Sequence, residues 1–213
     1  MSHRQYGVYL IPPPELIGPI RAAQELLSAQ FGARIASRFM VHCTLKGFTK
    51  LADGATPADF IPTLDALYAK TPSFPAELEQ LWLSPSGSSL LQVLRNTDAL
   101  QRLHEDTWTA VSPYIAEDCP FSHREPAGPK FQPHITLVQS DLPSESGLRS
   151  QGHALASYLY ANLPSHRFTA RTIQLVEFTS EDWRGDWWQT LQWRLLKGWS
   201  LIEPALRTSG STS

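Results

Sequence analysis

The sequence predicts an α+β fold of two lobes related by a pseudo-twofold axis, each an antiparallel-rich sheet with helices on its outer face, with a central groove between them. Three observations carry this expectation. One short stretch occurs twice, as His42-Cys43-Thr44-Leu45 and as His134-Ile135-Thr136-Leu137. Each copy lies in an apolar, strand-like run, residues 39–48 and 131–138, where side chains two apart share a face. The order strand, helix, tetrad strand, helix, strand runs through the chain twice, as expected of a diverged internal duplication.

Taken in order, residues 5–11 read as a strand. A helix over 14–30 follows, with Pro14 suited to its first turn and Leu16, Ile20, Ala23, Leu27 and Phe31 on one stripe. Gly32 ends that helix, and the first tetrad strand comes next. Asp53-Gly54 marks a turn, and Thr56-Pro57 opens a second helix that buries Phe60, Ile61, Leu64, Leu67 and Tyr68. Residues 74–83 and 88–94 read as strands joined by the turn Ser84-Pro85-Ser86-Gly87.

In the second half a helix over 98–114 carries Leu100, Leu103, Thr107, Val111 and Tyr114, with His104 on the border of that stripe, where a histidine is usually a satisfied core residue. A loop over 117–130 leads to the second tetrad strand, then a helix over 146–161, a strand over 167–178 and a final strand over 183–199. The tryptophans of that last stretch are expected to serve packing before base stacking. Residues 1–203 are expected to form one bilobal domain with interleaved lobes and repeat halves 5–83 and 88–197, followed by a disordered tail, 204–213.

Composition bounds the function. At 213 residues, 42% apolar and 18% charged, the chain can bury a sizeable core. A net charge of −2 gives no field for gripping long nucleic acid. A nucleotide ligand is therefore expected to be small, or an RNA end. Two cysteines, Cys43 and Cys119, are too few for a disulfide framework and fit a cytoplasmic setting. The apolar run before Pro12-Pro13-Pro14 is too short for a signal core or a membrane span, so neither targeting nor membrane association is expected.

Within each tetrad, His and Thr share one face, while Cys43, Leu45, Ile135 and Leu137 point to the opposite, apolar one. An imidazole titrates near neutrality and a hydroxyl donates to phosphate oxygens, so one tetrad supplies half of an acid/base site for phosphate chemistry. Two tetrads around one groove complete it. Lys46, two residues past Thr44, is a candidate cation for the same groove, with a solvated strand end as its plain alternative; Val138 occupies the equivalent place in the second copy.

This pair of His-x-Thr-hydrophobic tetrads, the second inside Phe131-Gln132-Pro133-His134-Ile135-Thr136-Leu137, resembles the 2H phosphoesterase superfamily, which includes 2′-5′ RNA ligase-like cyclic phosphodiesterases. The resemblance implies hydrolysis of a cyclic phosphodiester without metal or cofactor. It implies His42 and His134 as the catalytic pair and Thr44 and Thr136 as phosphate ligands. The substrate would be a small cyclic nucleotide or an RNA 3′ end, handled by a monomer. Three other readings stay open: a metal site, RNA ligation by the same chemistry run backwards, and a non-catalytic nucleotide-binding module. Adjacent strand residues point apart, so His42 and Cys43 are poorly placed to chelate one ion.

Overall fold

The computed structural model describes residues 4–119, 121 and 126–204. Its elements are β1 (Gln5–Ile11), α1 (Pro14–Phe31), β2 (Cys43–Thr49), α2 (Pro57–Tyr68), β3 (Phe74–Leu83), β4 (Leu90–Leu94), α3 (Asp98–Val111), β5 (His134–Val138), α4 (Ser146–Ala161), β6 (Arg167–Ala170), β7 (Thr172–Thr179) and β8 (Gln192–Ser200). Local chemistry sets the helix ends. Gly32 takes φ 73°, which costs glycine little, and its N–H closes α1 on the Ser28 carbonyl at 2.9 Å. Thr56 and Asp59 form a capping box at the start of α2, and the Thr97 hydroxyl accepts from the Leu100 N–H at the start of α3.

The eight strands make one curled, antiparallel sheet in the order β6-β3-β4-β5-β2-β1-β7-β8. The two tetrad strands are its central pair. Four strands lie on either side of the β5/β2 seam, and each group of four draws strands from both halves of the chain, so the lobes are interleaved. The curl follows from one connection. β6 is an edge strand paired with β3, whereas β7 lies between β1 and β8 near the opposite edge, yet Arg171 alone joins them. One residue spans under about 4 Å, so the two ends of the sheet must come together there. The Ser73 N–H bonds to the Ile202 carbonyl at 2.7 Å, and the Ile202 N–H to the Thr71 carbonyl at 3.1 Å, closing the same corner.

The helices cover one face. α1 packs on β5, α3 on β2, and α4 on β3 and β4. Cys43, Leu45, Ile135 and Leu137 are buried there with Leu16, Ile20, Leu27, Leu100 and Leu103. Burying such side chains stabilises by roughly 1.5–3 kcal/mol each. The opposite face carries a smaller aromatic cluster around Tyr9, Phe39 and Phe178. Among the described residues, no helix is long and apolar enough to cross a membrane.

The structure corrects several boundaries. The strand expected over 167–178 is two strands, because its first part pairs with β3 and the rest with β1 and β8. The final strand starts at Gln192, not at 183; residues 183–191 form a loop whose Trp183 and Trp187 pack on Phe48. The first tetrad strand starts at Cys43, preceded by a 3-10 turn at Ala36–Arg38, and the helix over 98–114 ends in a 3-10 turn at Ser112–Tyr114. Residues 205–213 of the expected tail, and part of the 117–130 loop, lie outside the described residues.

Candidate active site

β2 and β5 pair with Cys43 opposite Ile135. Carrying that antiparallel register one residue each way sets His42 opposite Thr136 and Thr44 opposite His134. Directly opposed side chains lie about 5 Å apart at Cβ, so four polar groups ring one point on the local twofold. All four line one cavity of about 350 Å³, together with Tyr9, Phe39, Phe48 and Trp82.

The histidines are held alike. His42 Nδ1 lies 2.7 Å from the Met40 carbonyl, and His134 Nδ1 lies 2.8 Å from the Gln132 carbonyl. A carbonyl only accepts, so each Nδ1 carries the proton of its bond. In the neutral ring this leaves Nε2 as the unprotonated nitrogen. His42 is further fixed by the Tyr9 ring, edge-on at 4.5 Å, and by Phe39 at 5.9 Å.

Burial holds the His42 pKa down to about 4, and the nearby His134 and Arg21 charges push the same way against the opposing pull of the Met40 carbonyl. His134 is also lowered by burial, with its Gln132 bond opposing. The two imidazoles thus have unlike surroundings, because the Arg21 guanidinium lies on the His42 side. Arg21 donates to the carbonyls of Ser37, at 2.8 Å, and Phe39, and so anchors the segment that delivers His42. Burial pushes the Cys43 thiol up to about 12, which marks it as a packing group. Among the described residues, no three His, Cys, Asp or Glu side chains are grouped to hold a metal ion.

Lys46 does not reach this cavity. Opposite Tyr9-Val8 of β1 the register passes from Thr44 to Lys46, a bulge that breaks the simple alternation. Both Leu45 and Lys46 are therefore buried, and the Lys46 ammonium turns to a second cavity of about 800 Å³, lying 5.9 Å from the centre of the Trp108 ring. It is not a solvated strand end. The second copy bulges at the same point, with Leu91 opposite Thr136 and Leu90 opposite Val138. The twofold likeness of the tetrads thus extends to their backbone irregularities.

His104 is a satisfied core residue, as expected from its place on α3. Its Nδ1–H donates to the Leu45 carbonyl at 2.7 Å, its Nε2 accepts the Ala127 N–H at 3.2 Å, and its ring stacks on Phe131 at 3.9 Å. It ties the backbone just past Thr44 to the segment entering the second tetrad. Sequence reasoning missed Gln24, which lines the tetrad cavity, is buried and donates to the Thr136 carbonyl at 2.8 Å. Its signal was present: an amide one turn after Ile20, on the apolar stripe of α1.

Comparisons place this fold among known proteins. The chain is similar in fold to TT0787 of Thermus thermophilus, with TM-score 0.61 and 16% identity over 93% of this chain and 98% of that one. It is also similar to a crystal structure described as a phosphoesterase, with TM-score 0.54 and 19% identity over 94% and 99% of the two chains. Escherichia coli LigT complexed with 3′-AMP matches with TM-score 0.54 and 18% identity over 95% and 100%. No curated protein matches the chain. The model of the 2′-5′ RNA ligase superfamily matches residues 12–182, most of the chain and both tetrads. The chain therefore belongs to the 2′-5′ RNA ligase superfamily of 2H phosphoesterases.

Proposed function

We propose that this protein opens a 2′,3′-cyclic phosphate on a nucleotide or RNA end by two-histidine acid/base catalysis, with no metal or cofactor in the chemistry. The observation that carries the reading is the tetrad pair itself. Each imidazole is locked through Nδ1 to a backbone carbonyl two residues earlier, with the threonine of the other tetrad opposite it.

His42 is the base. It stays neutral at neutral pH, so its Nε2 takes a proton from water as the water oxygen bonds to phosphorus. His134, whose charged form the anionic phosphate bound beside it favours, gives a proton to the ribose oxygen as the bond from that oxygen to phosphorus breaks. One bond forms, one breaks, and one proton enters and leaves the pair; proton exchange with water then returns His42 to its neutral form and His134 to its charged form before the next turnover. The Thr44 and Thr136 hydroxyls donate to the non-bridging oxygens, where charge grows in the transition state. A small nucleotide is in keeping with the cavity size, and the similarly folded LigT has been solved with 3′-AMP.

The test is direct: incubate the protein with 2′,3′-cyclic nucleotides in EDTA and identify the product by NMR. A nucleoside 2′-phosphate is expected. Activity that vanishes on chelation and returns with zinc or manganese would overturn the two-histidine mechanism, as would the absence of any monophosphate.

A further inference from the structure

Both tetrad strands carry an irregularity just past the threonine, and in both a helix side chain takes a strand carbonyl there. On β2 the extra residue is Leu45, whose carbonyl accepts from His104 of α3 at 2.7 Å. On β5 the extra residue is Leu137, and the carbonyl one place earlier, that of Thr136, accepts from Gln24 of α1 at 2.8 Å. A bulge interrupts the ladder of main-chain bonds, so carbonyls beside it need partners from elsewhere. The seam between the two strands is itself slight: among the described residues, Cys43 and Ile135 are the one pair in register across it. Gln24 also lies one turn past Arg21, which holds the carbonyls of Ser37 and Phe39 ahead of His42. One helix thus grips both the approach to the first histidine and the second threonine.

Packing alone does not account for an amide at position 24. Its neighbours on the buried face of α1, Leu16, Ile20, Ala23 and Leu27, are apolar. Gln24 is 2% exposed, and its side-chain carbonyl has no hydrogen-bond partner among the described residues. A buried acceptor left without a partner costs stability, and an apolar side chain at this place would not carry that cost. Local rules broken in this way mark functional positions. We propose that Gln24 is a positioning residue for the tetrad site: its bond fixes the peptide plane of Thr136, and with it the direction in which the Thr136 hydroxyl faces phosphate opposite His42. Threonine is stiff at χ1, so its hydroxyl goes where the backbone points it. The Gln24 amide is committed to the Thr136 carbonyl and acts through that residue, not on the substrate. The inference rests on the reading of the tetrads as a phosphate site.

The experiment is a double-mutant cycle with Thr136→Val, read by calorimetry with inorganic phosphate and by turnover of uridine 2′,3′-cyclic phosphate. Gln24→Met keeps the length of the side chain and removes the donor. It should weaken phosphate binding and lower kcat by about five-fold each, a smaller loss than deleting the hydroxyl itself. Its urea midpoint should stay near that of the wild type, since the orphaned side-chain carbonyl leaves as the Thr136 carbonyl loses its partner. In the Thr136→Val background the same substitution should change neither reading, because the hydroxyl it aims is gone. Should Gln24→Met not fold, the side-chain amide signal of Gln24 in the NMR spectrum of the wild type replaces it. That signal should move on phosphate addition, and move less in Thr136→Val. Losses that multiply in the double mutant, an unchanged phosphate affinity in Gln24→Met, or an amide signal that responds equally with and without the hydroxyl would overturn the role, even where the cyclic substrate is opened. Coupled losses in phosphate binding with no turnover by the wild type would uphold the role and overturn the catalytic reading instead. A wild type that binds no phosphate would overturn both.

Discussion

At the level of single residues, the two histidines are alike in position and unlike in surroundings. His42→Ala and His134→Ala should each lower kcat by about 10²-fold or more without unfolding the protein, measured on a cyclic nucleotide with circular dichroism as control. Thr44→Val and Thr136→Val delete one donor each and should cost on the order of 10- to 10³-fold. The rate should be bell-shaped in pH. It falls on the acid side as the base charges and on the alkaline side as the acid loses its proton, and both limbs belong to the coupled pair. Burial lowers both imidazoles, so the bell for kcat/KM should centre below pH 6.5. Bound phosphate favours the charged rings and should move the kcat bell upward. The same shift acts on stability. An unfolded histidine takes its proton near pH 6.5 and folded His42 only near pH 4, so the unfolded state binds more protons between these values. The urea midpoint should therefore drop as pH falls from about 6.5 to about 4, and less so in His42→Ala. The tetrads were legible because alternation along a strand needs nothing outside the strand.

At the level of elements, what the sequence hid depends on partners. The alternation that placed Lys46 beside Thr44 fails because β2 bulges against β1, and a bulge is a property of the pair. His42 is delivered by the segment between α1 and β2, which Arg21 holds by the carbonyls of Ser37 and Phe39 and Asp141 holds by the N–H groups of Arg34 and Ile35. Neither long-range contact has a local signature. Arg21→Met removes an anchor and a nearby positive charge. It should lower kcat and move the acid limb of the pH–rate profile to higher pH, because His42 then charges more readily. Gly7 shows a second dependence on neighbours. A Cβ there would lie 2.2 Å from the Tyr9 hydroxyl, whose ring is hemmed in by His42 and Phe178. Gly7→Ala should therefore act through the His42 ring, reducing kcat several-fold more than KM changes in steady-state assays.

At the level of the whole molecule, the repeated element order made the two lobes and the central tetrad pair legible, since each half carries its own helices and strands in the same sequence. Which strand neighbours which is a matter of pairing over long separations, which periodicity does not encode; Arg171 looked like the middle of one strand and is the passage between two. That exchange has a consequence for how the chain is made. β1 is buried along nearly its whole length and one of its two neighbours is β7, so that Tyr6 meets Glu177 across 171 positions. A chain emerging from the ribosome at about 5–20 residues per second holds this apolar strand without that neighbour for on the order of ten seconds or more. Closing such distant pairs makes folding slow relative to chains with local contacts. The N-terminal strand is thus the segment that a growing chain must shelter longest, and chaperone demand during synthesis should centre on residues 5–11.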